Sequence, residues 1–183
     1  MKPKLIILNG SLGIGKSTLA KRYGEEHPLT LVLDIDNVWA MLSHWRQEKE
    51  LSAPLSKRMA IEMARTNLQA GHDVIIPQIL QTTELADSFK KLAKDCNANY
   101  FEVLLNVSKE EAIRRFIKRG KEQGSPTGFR PGGIIDTSGR ELKLAKMYDN
   151  MTEVVNSRPH VIKIEPVLGD IDGTYQDLIK KIS

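Results

Sequence analysis

The chain has 183 residues, with 27 Lys+Arg against 23 Asp+Glu, 40% apolar residues and one cysteine. That length suits one domain over residues 1–183, large enough to bury about 70% of its unfolded surface without staples. Cys96 alone excludes an internal disulfide framework and suggests a reducing, cytoplasmic setting, and no apolar run approaches the ~18 residues that span a bilayer. The apolar run Leu5 to Leu8 is also too short for a signal-peptide core, so no membrane partner is expected. A net charge of +4 suits a polyphosphate ligand or a nucleic acid without selecting either.

Leu5-Ile6-Ile7-Leu8 reads as a strand buried on both faces. Directly after it, Gly10-Ser11-Leu12-Gly13-Ile14-Gly15-Lys16-Ser17-Thr18 fits G-x-x-x-x-G-K-[ST], the Walker A phosphate loop. Glycines let the backbone curl so that its amides point inward, and a side chain there would block a phosphate. The helix that opens near Lys16 adds its positive end. Lys16 is placed to contact the β- and γ-phosphates, and the Ser17 hydroxyl to ligate Mg²⁺. A dinucleotide-binding reading of the same glycines needs G-x-G-x-x-G and fails at Thr18. The first helix is expected from Lys16 to about Tyr23, with Gly24 placed to end it.

The second strand, Leu31-Val32-Leu33, ends in Asp34-Ile35-Asp36. Two carboxylates two residues apart on an extended segment share a side, and ligands of open α/β sheets sit beyond the carboxyl ends of strands. One acid can hold Mg²⁺ through water while the other takes a proton from an attacking hydroxyl. Asp36 also fits an N-cap of a helix from Asn37 to Arg46. In that helix region Trp39 and Trp45 read as core or groove residues, and Trp39 could line an apolar acceptor pocket.

A helix over Leu55 to Ala70 leads to a third strand, Val74-Ile75-Ile76, which runs into Pro77-Gln78. Another helix spans Thr83 to Lys94, and a fourth strand covers Val103 to Leu105. Ser108 with Glu111 opens a helix from Lys109 to Arg119 as a capping box, and Ser138 with Glu141 opens one over Gly139 to Val155. On the former, Arg115 and Arg119 share a face, while Ile113, Phe116 and Ile117 supply the packed one. Gly120 to Gly133 holds five of the 13 glycines and two of the eight prolines, a composition that no helix or strand tolerates and that marks an inserted loop or lid, to about residue 137. Arg130 within it is a candidate to swing in on closure. A fifth strand, Val161 to Ile164, and a helix from Tyr175 to Ile182 complete an alternation that implies an open, five-stranded parallel sheet with helices on both faces. His27, His44, His72 and His160 have no metal-ligand spacing, and Cys96 reads as structural.

From the opening Leu5 to Ser17, the Asp34/Asp36 pair and the basic helix around Arg115, the chain resembles the small P-loop kinases of the nucleoside-monophosphate-kinase-like fold. The opening is similar to chloramphenicol phosphotransferase, and the acidic pair to shikimate and gluconate kinases; polynucleotide 5′-hydroxyl kinases share the layout. The resemblance implies an ATP- and Mg²⁺-dependent phosphotransferase acting on a hydroxyl of a small molecule, with Asp34 serving the metal, Asp36 meeting the acceptor and Arg115 and Arg119 reaching the transferring group or the adenine. It also implies that Glu165-Pro166-Val167-Leu168-Gly169 occupies the adenine-contacting loop. One departure stands out: related kinases often end the third strand in an acid, where this chain has Pro77-Gln78, and Gln78 could instead orient a water or an acceptor hydroxyl. A polynucleotide 5′-hydroxyl kinase, and a nucleotide-binding module with little turnover, are the alternatives.

Overall fold

The computed structural model describes residues 2–122 and 140–183. Strands and helices alternate as β1 (Lys4–Gly10), α1 (Lys16–Glu26), β2 (Leu31–Val32), α2 (Ile35–Ala40), α3 (Lys49–Gln69), β3 (Val74–Pro77), α4 (Thr83–Asp95), β4 (Asn99–Leu105), α5 (Lys109–Glu122), α6 (Arg140–Asn156), β5 (Ile162–Ile164) and α7 (Ile171–Ile182). The five strands form one parallel sheet in the order β2-β3-β1-β4-β5. β1 lies at its centre, with Leu5 beside Val74 on one flank and Tyr100 on the other.

Alternation along β1 divides the core in two. Leu5 and Ile7 face a layer built with Ala60, Ala64 and Leu68 of α3 and Phe89 and Leu92 of α4. Ile6 and Leu8 face the opposite layer, built with Leu19 and Tyr23 of α1 and Tyr175 and Leu178 of α7. Helices therefore cover both faces, which is why the strands read as unbroken apolar runs.

β4 and α7 each start four residues before the expected position, at Asn99 and Ile171, and four further boundaries differ for a local reason. α1 continues through Gly24 to Glu26. The glycine is there for space, because a Cβ would stand 2.6 Å from Val32 Cγ2. The helix after β2 starts at Ile35 and stops at Ala40, since the Asp34 carboxylate accepts from Asp36 N at 3.0 Å and caps it. α3 begins at Lys49, six residues before the expected start, and carries Pro54 inside it; so near the first turn the proline forgoes only one intrahelical bond. α5 carries Gly120 into its last turn and ends at Glu122, so the inserted segment does not begin at Gly120. The remainder of the expected lid, with Arg130 and Ser138, lies outside the described residues.

Away from the phosphate loop, Glu102 of β4 is buried and accepts from Arg158 Nε at 3.0 and 2.8 Å, while Arg158 Nη1 reaches Asp87 at 2.5 Å. A buried pair of this kind ties the end of α6 to β4 and α4. Removing one partner would leave an uncompensated charge inside the protein.

Candidate active site

The segment between β1 and α1 wraps around the ammonium group of Lys16. Lys16 Nζ donates to Gly10 O and Ser11 O, both at 2.8 Å, and the residue is only 8% exposed. Gly13 has φ +80, and a Cβ on it would meet Phe116 Cα at 2.9 Å. Only glycine accepts both constraints. The neighbouring Leu12 packs with Ile113, Phe116, Ile117, Leu144 and Met147, so the loop is seated on α5 and α6. Gly15 precedes α1 with φ +102, and Ser17 and Thr18 stand exposed in its first turn.

Asp34 and Asp36 follow the end of β2 as expected, but a cap and a turn bring them together, not strand alternation. Asp34 is the N-cap of α2, and Asp36 lies in the first helical turn. Capping therefore belongs to Asp34 and leaves the carboxylate of Asp36 out of that role. Burial, then the neighbouring charge of Asp34, raise the Asp36 pKa above the usual carboxylate range, opposed by Lys16. Lys16 is lowered to about 7, first by burial and then by the charge of Arg119, against the pull of Asp36 and Asp34. These four side chains thus share one electrostatic neighbourhood at the carboxyl ends of β1 and β2.

The two arginines of α5 part company. Arg119 bears on Lys16. Arg115 Nε donates to Glu111 Oε1 at 2.6 Å, and its Nη2 to Pro166 O at 3.3 Å. The Glu111 amide donates to Ser108 Oγ at 3.2 Å, which makes one half of the expected capping box. Its carboxylate is spent on Arg114 and Arg115 and does not close the other half. Arg115 lines a small apolar cavity of about 180 Å³ with Ile14, Gly15, Leu19, Val167 and Thr174. Pro166 to Gly169 thus form a wall of a slot beside the phosphate loop.

Asn9 went unread in the sequence. It is fully buried; its Oδ1 accepts from Gly10 N at 2.8 Å and Leu80 N at 3.0 Å, clipping the phosphate loop to the segment after β3. A lone amide closing an apolar strand was the available signal. Trp39 is held by α3: its Nε1 donates to Ser52 Oγ at 2.7 Å, and its ring sits 4.4 Å from that of Trp45.

Among the described residues, no group of three or more His, Cys, Asp or Glu could hold a metal. Mg²⁺ does not require one, since it keeps several waters and binds through one or two protein oxygens plus substrate phosphates. The exposed Ser17 hydroxyl and the second oxygen of Asp34 fit that donor set. No helix among the described residues is long and apolar enough to cross a membrane.

The charge state of Lys16 yields a measurable consequence. Near pH 8 much of the free protein holds it neutral, and a bound triphosphate would recharge it. ATP binding should therefore take up a fraction of a proton at pH 8 and almost none at pH 6, read by calorimetry in buffers of different ionisation enthalpy. For the free protein the sign is the reverse of a salt bridge: a folded-state pKa below the usual 10.5 makes the buried charge a cost below pH 7, and that cost fades as pH rises from about 7.

Comparison with known proteins follows the same lines. No curated protein sequence matches the chain. Among solved structures, a provisionally named kinase from Chloroflexus aurantiacus j-10-fl shares the fold at TM-score 0.67 and 17% identity, covering 100% of both chains. A gluconokinase from Sinorhizobium meliloti 1021 does so at 0.61 and 15%, over 99% of this chain and 94% of its own. A chain of the Pnkp1/Rnl/Hen1 RNA repair complex gives 0.64 and 19%, over 93% of this chain and 50% of its own. A family model described as an AAA domain matches residues 5–130, and with the phosphate loop and the parallel sheet in the order β2-β3-β1-β4-β5, the chain belongs to that family and has the fold of the small P-loop kinases.

Proposed function

We propose that the protein transfers the γ-phosphoryl group of ATP to a hydroxyl of a small-molecule acceptor. The observation that carries this reading is the meeting of Lys16, Arg119 and the raised-pKa carboxylate of Asp36 in one electrostatic neighbourhood. Two cations converge where a triphosphate would lie, and a carboxylate whose pKa is raised by burial and by Asp34 stands beside them. Transfer needs positioning and charge stabilisation more than covalent chemistry.

In this reading the backbone amides from Gly10 to Thr18 and the start of α1 hold the β- and γ-phosphates, and the slot beside Arg115 takes the base. Binding draws Lys16 Nζ from the carbonyls of Gly10 and Ser11 to the phosphates, exchanging two neutral acceptors for charged ones. The acceptor oxygen attacks the γ-phosphorus, its proton passes to the Asp36 carboxylate, and the bond from phosphorus to the bridging oxygen breaks to release ADP. Arg119 balances charge on the equatorial oxygens. Ser17, and Asp34 through water, would hold Mg²⁺, which when bound neutralises phosphate charge.

The test is transfer of label from ATP radiolabelled at the γ-position to a library of small alcohols and to oligonucleotides with free 5′-hydroxyl ends. A stable phosphomonoester on a small alcohol, abolished in Asp36→Asn, is the expected result. Label on oligonucleotides alone would make the protein a polynucleotide kinase. Tight ATP binding with no transfer to any acceptor would reduce it to a nucleotide-binding module.

A further inference from the structure

Both tryptophans of the chain, Trp39 and Trp45, fall between Asp36 and α3. An indole is a large apolar side chain and is on average well buried. Yet neither Trp39 nor Trp45 joins a core cluster among the described residues, and each stays half-buried. Their place is fixed all the same. The hydroxyl of the buried Ser52 accepts from Trp39 Nε1 at 2.7 Å and donates to the carbonyl of Trp45 at 2.8 Å. The two rings meet at 4.4 Å, tilted by 56°, and the Arg46 guanidinium lies 4.2 Å over the ring of Trp45.

The pair stands beside the proposed base. Along α2 burial repeats every three residues: Ile35 and Val38 are buried, Asp36 and Trp39 half-buried, Asn37 and Ala40 exposed. Asp36 and Trp39 therefore share one face of the helix, about 4.5 Å apart along its axis. The Cα–Cβ bond of Trp39 tilts toward the turn that carries Asp36. A molecule whose hydroxyl reaches Asp36 along that face meets the indole. What this indole can recognise is narrow. Its N–H is already spent on Ser52, so its π surface is what remains, and that surface favours a flat ring over an aliphatic group of the same size.

Resting on the kinase reading above, we infer that the acceptor is an alcohol with an aromatic ring a few bonds from its reacting hydroxyl, and that Trp39, braced by Ser52 and Trp45, selects that ring. Because the indole is held in place before the acceptor arrives, little further ordering opposes binding.

The experiment reads binding apart from catalysis. Both tryptophans of the chain stand in this one place, so intrinsic fluorescence reports its occupancy directly. The probes are 2-phenylethanol, 2-cyclohexylethanol and thymidine, titrated into the full chain with Mg²⁺ and a non-hydrolysable ATP analogue filling the phosphate loop. Saturation-transfer NMR gives the affinities in variants that lack a tryptophan. The phenyl alcohol should change the emission saturably and bind about fivefold or more tightly than its cyclohexyl counterpart. Trp39→Leu should erase that preference and Trp39→Phe should keep it, with circular dichroism showing both folded. Thymidine binding tighter than 2-phenylethanol would identify the ring as a nucleobase, and weaker binding an aryl group; either result supports the inference. No saturable change with 2-phenylethanol, equal affinity for the phenyl and cyclohexyl alcohols, or a preference that survives Trp39→Leu overturns it. The comparison in the unaltered chain is decisive even where Trp39→Leu fails to fold. Failure of the kinase reading would look different: the ring would still bind, and no phosphate would pass from ATP to its hydroxyl. Transfer to glycerol as fast as to 2-phenylethanol would leave that reading standing and remove this one.

Discussion

Replacing Asp36 by asparagine should lower kcat by roughly 10²–10⁴ while leaving ATP affinity and melting temperature nearly unchanged. The expectation is sharper than the sequence allowed, because the cap of α2 is Asp34. The substitution therefore removes no capping bond, and it relieves the repulsion that Asp34 exerts on a half-buried carboxylate. The Tm of the variant should hold or rise slightly. A fall in Tm with little loss of rate would make Asp36 a packing residue and move the base elsewhere. The raised pKa adds a second mark: kcat/KM should climb with pH as Asp36 loses its proton, with a midpoint above that of an ordinary carboxylate. That limb should vanish in the variant. Asp34→Asn should keep the cap and instead raise the Mg²⁺ concentration needed for half-maximal rate, whereas Asp34→Ala should also cost about 0.5–2 kcal/mol of stability.

Lys16→Ala should weaken ATP binding by about 10–100-fold, the worth of a charge-assisted hydrogen bond, and cut turnover by about 10²-fold or more. Adenosine should bind both proteins alike, since the slot beside Arg115 is walled by Ile14, Leu19 and Val167 and not by Lys16. The variant should also lose the proton uptake at pH 8. Calorimetry that finds equal ATP affinity in both proteins would remove the phosphate loop from nucleotide binding. Stability gives an independent reading: the substitution frees two loop carbonyls but removes a desolvated cation, so no large fall in Tm is expected.

The sheet was legible because strands buried on both faces carry unbroken apolar runs, and the phosphate loop because its glycines satisfy backbone needs that no other residue meets. Gly24 was misread since a helix-ending glycine and a glycine under a neighbouring Val32 look alike in one dimension. The start of α3 was placed past Pro54, and the helix takes the proline in, because position within a helix, which decides what a proline costs, is invisible before the boundary is known. Asp34 and Asp36 were read correctly as neighbours, but the cap offered to Asp36 belongs to Asp34, the strand being one residue shorter than its apolar run. Arg115 and Arg119, equivalent by helical spacing, are separated by what each meets: a carbonyl of the segment after β5 for one, the charge of Lys16 for the other. Asn9 belongs to a contact between segments far apart in the chain, where no local pattern reaches.

The strand order has a bearing on how the protein behaves at high concentration. The sheet ends in β2, two residues long, and β5, three residues long, while Leu5 to Leu8 of the central β1 is paired on both sides. A neighbouring molecule that tried to extend the sheet would find a template of two or three peptide units, too short to hold a strand. The sequence best suited to cross-chain pairing, Leu5 to Leu8, becomes available only when β3 or β4 has separated from it. Self-association through backbone pairing is thereby tied to global unfolding and kept off the native surface.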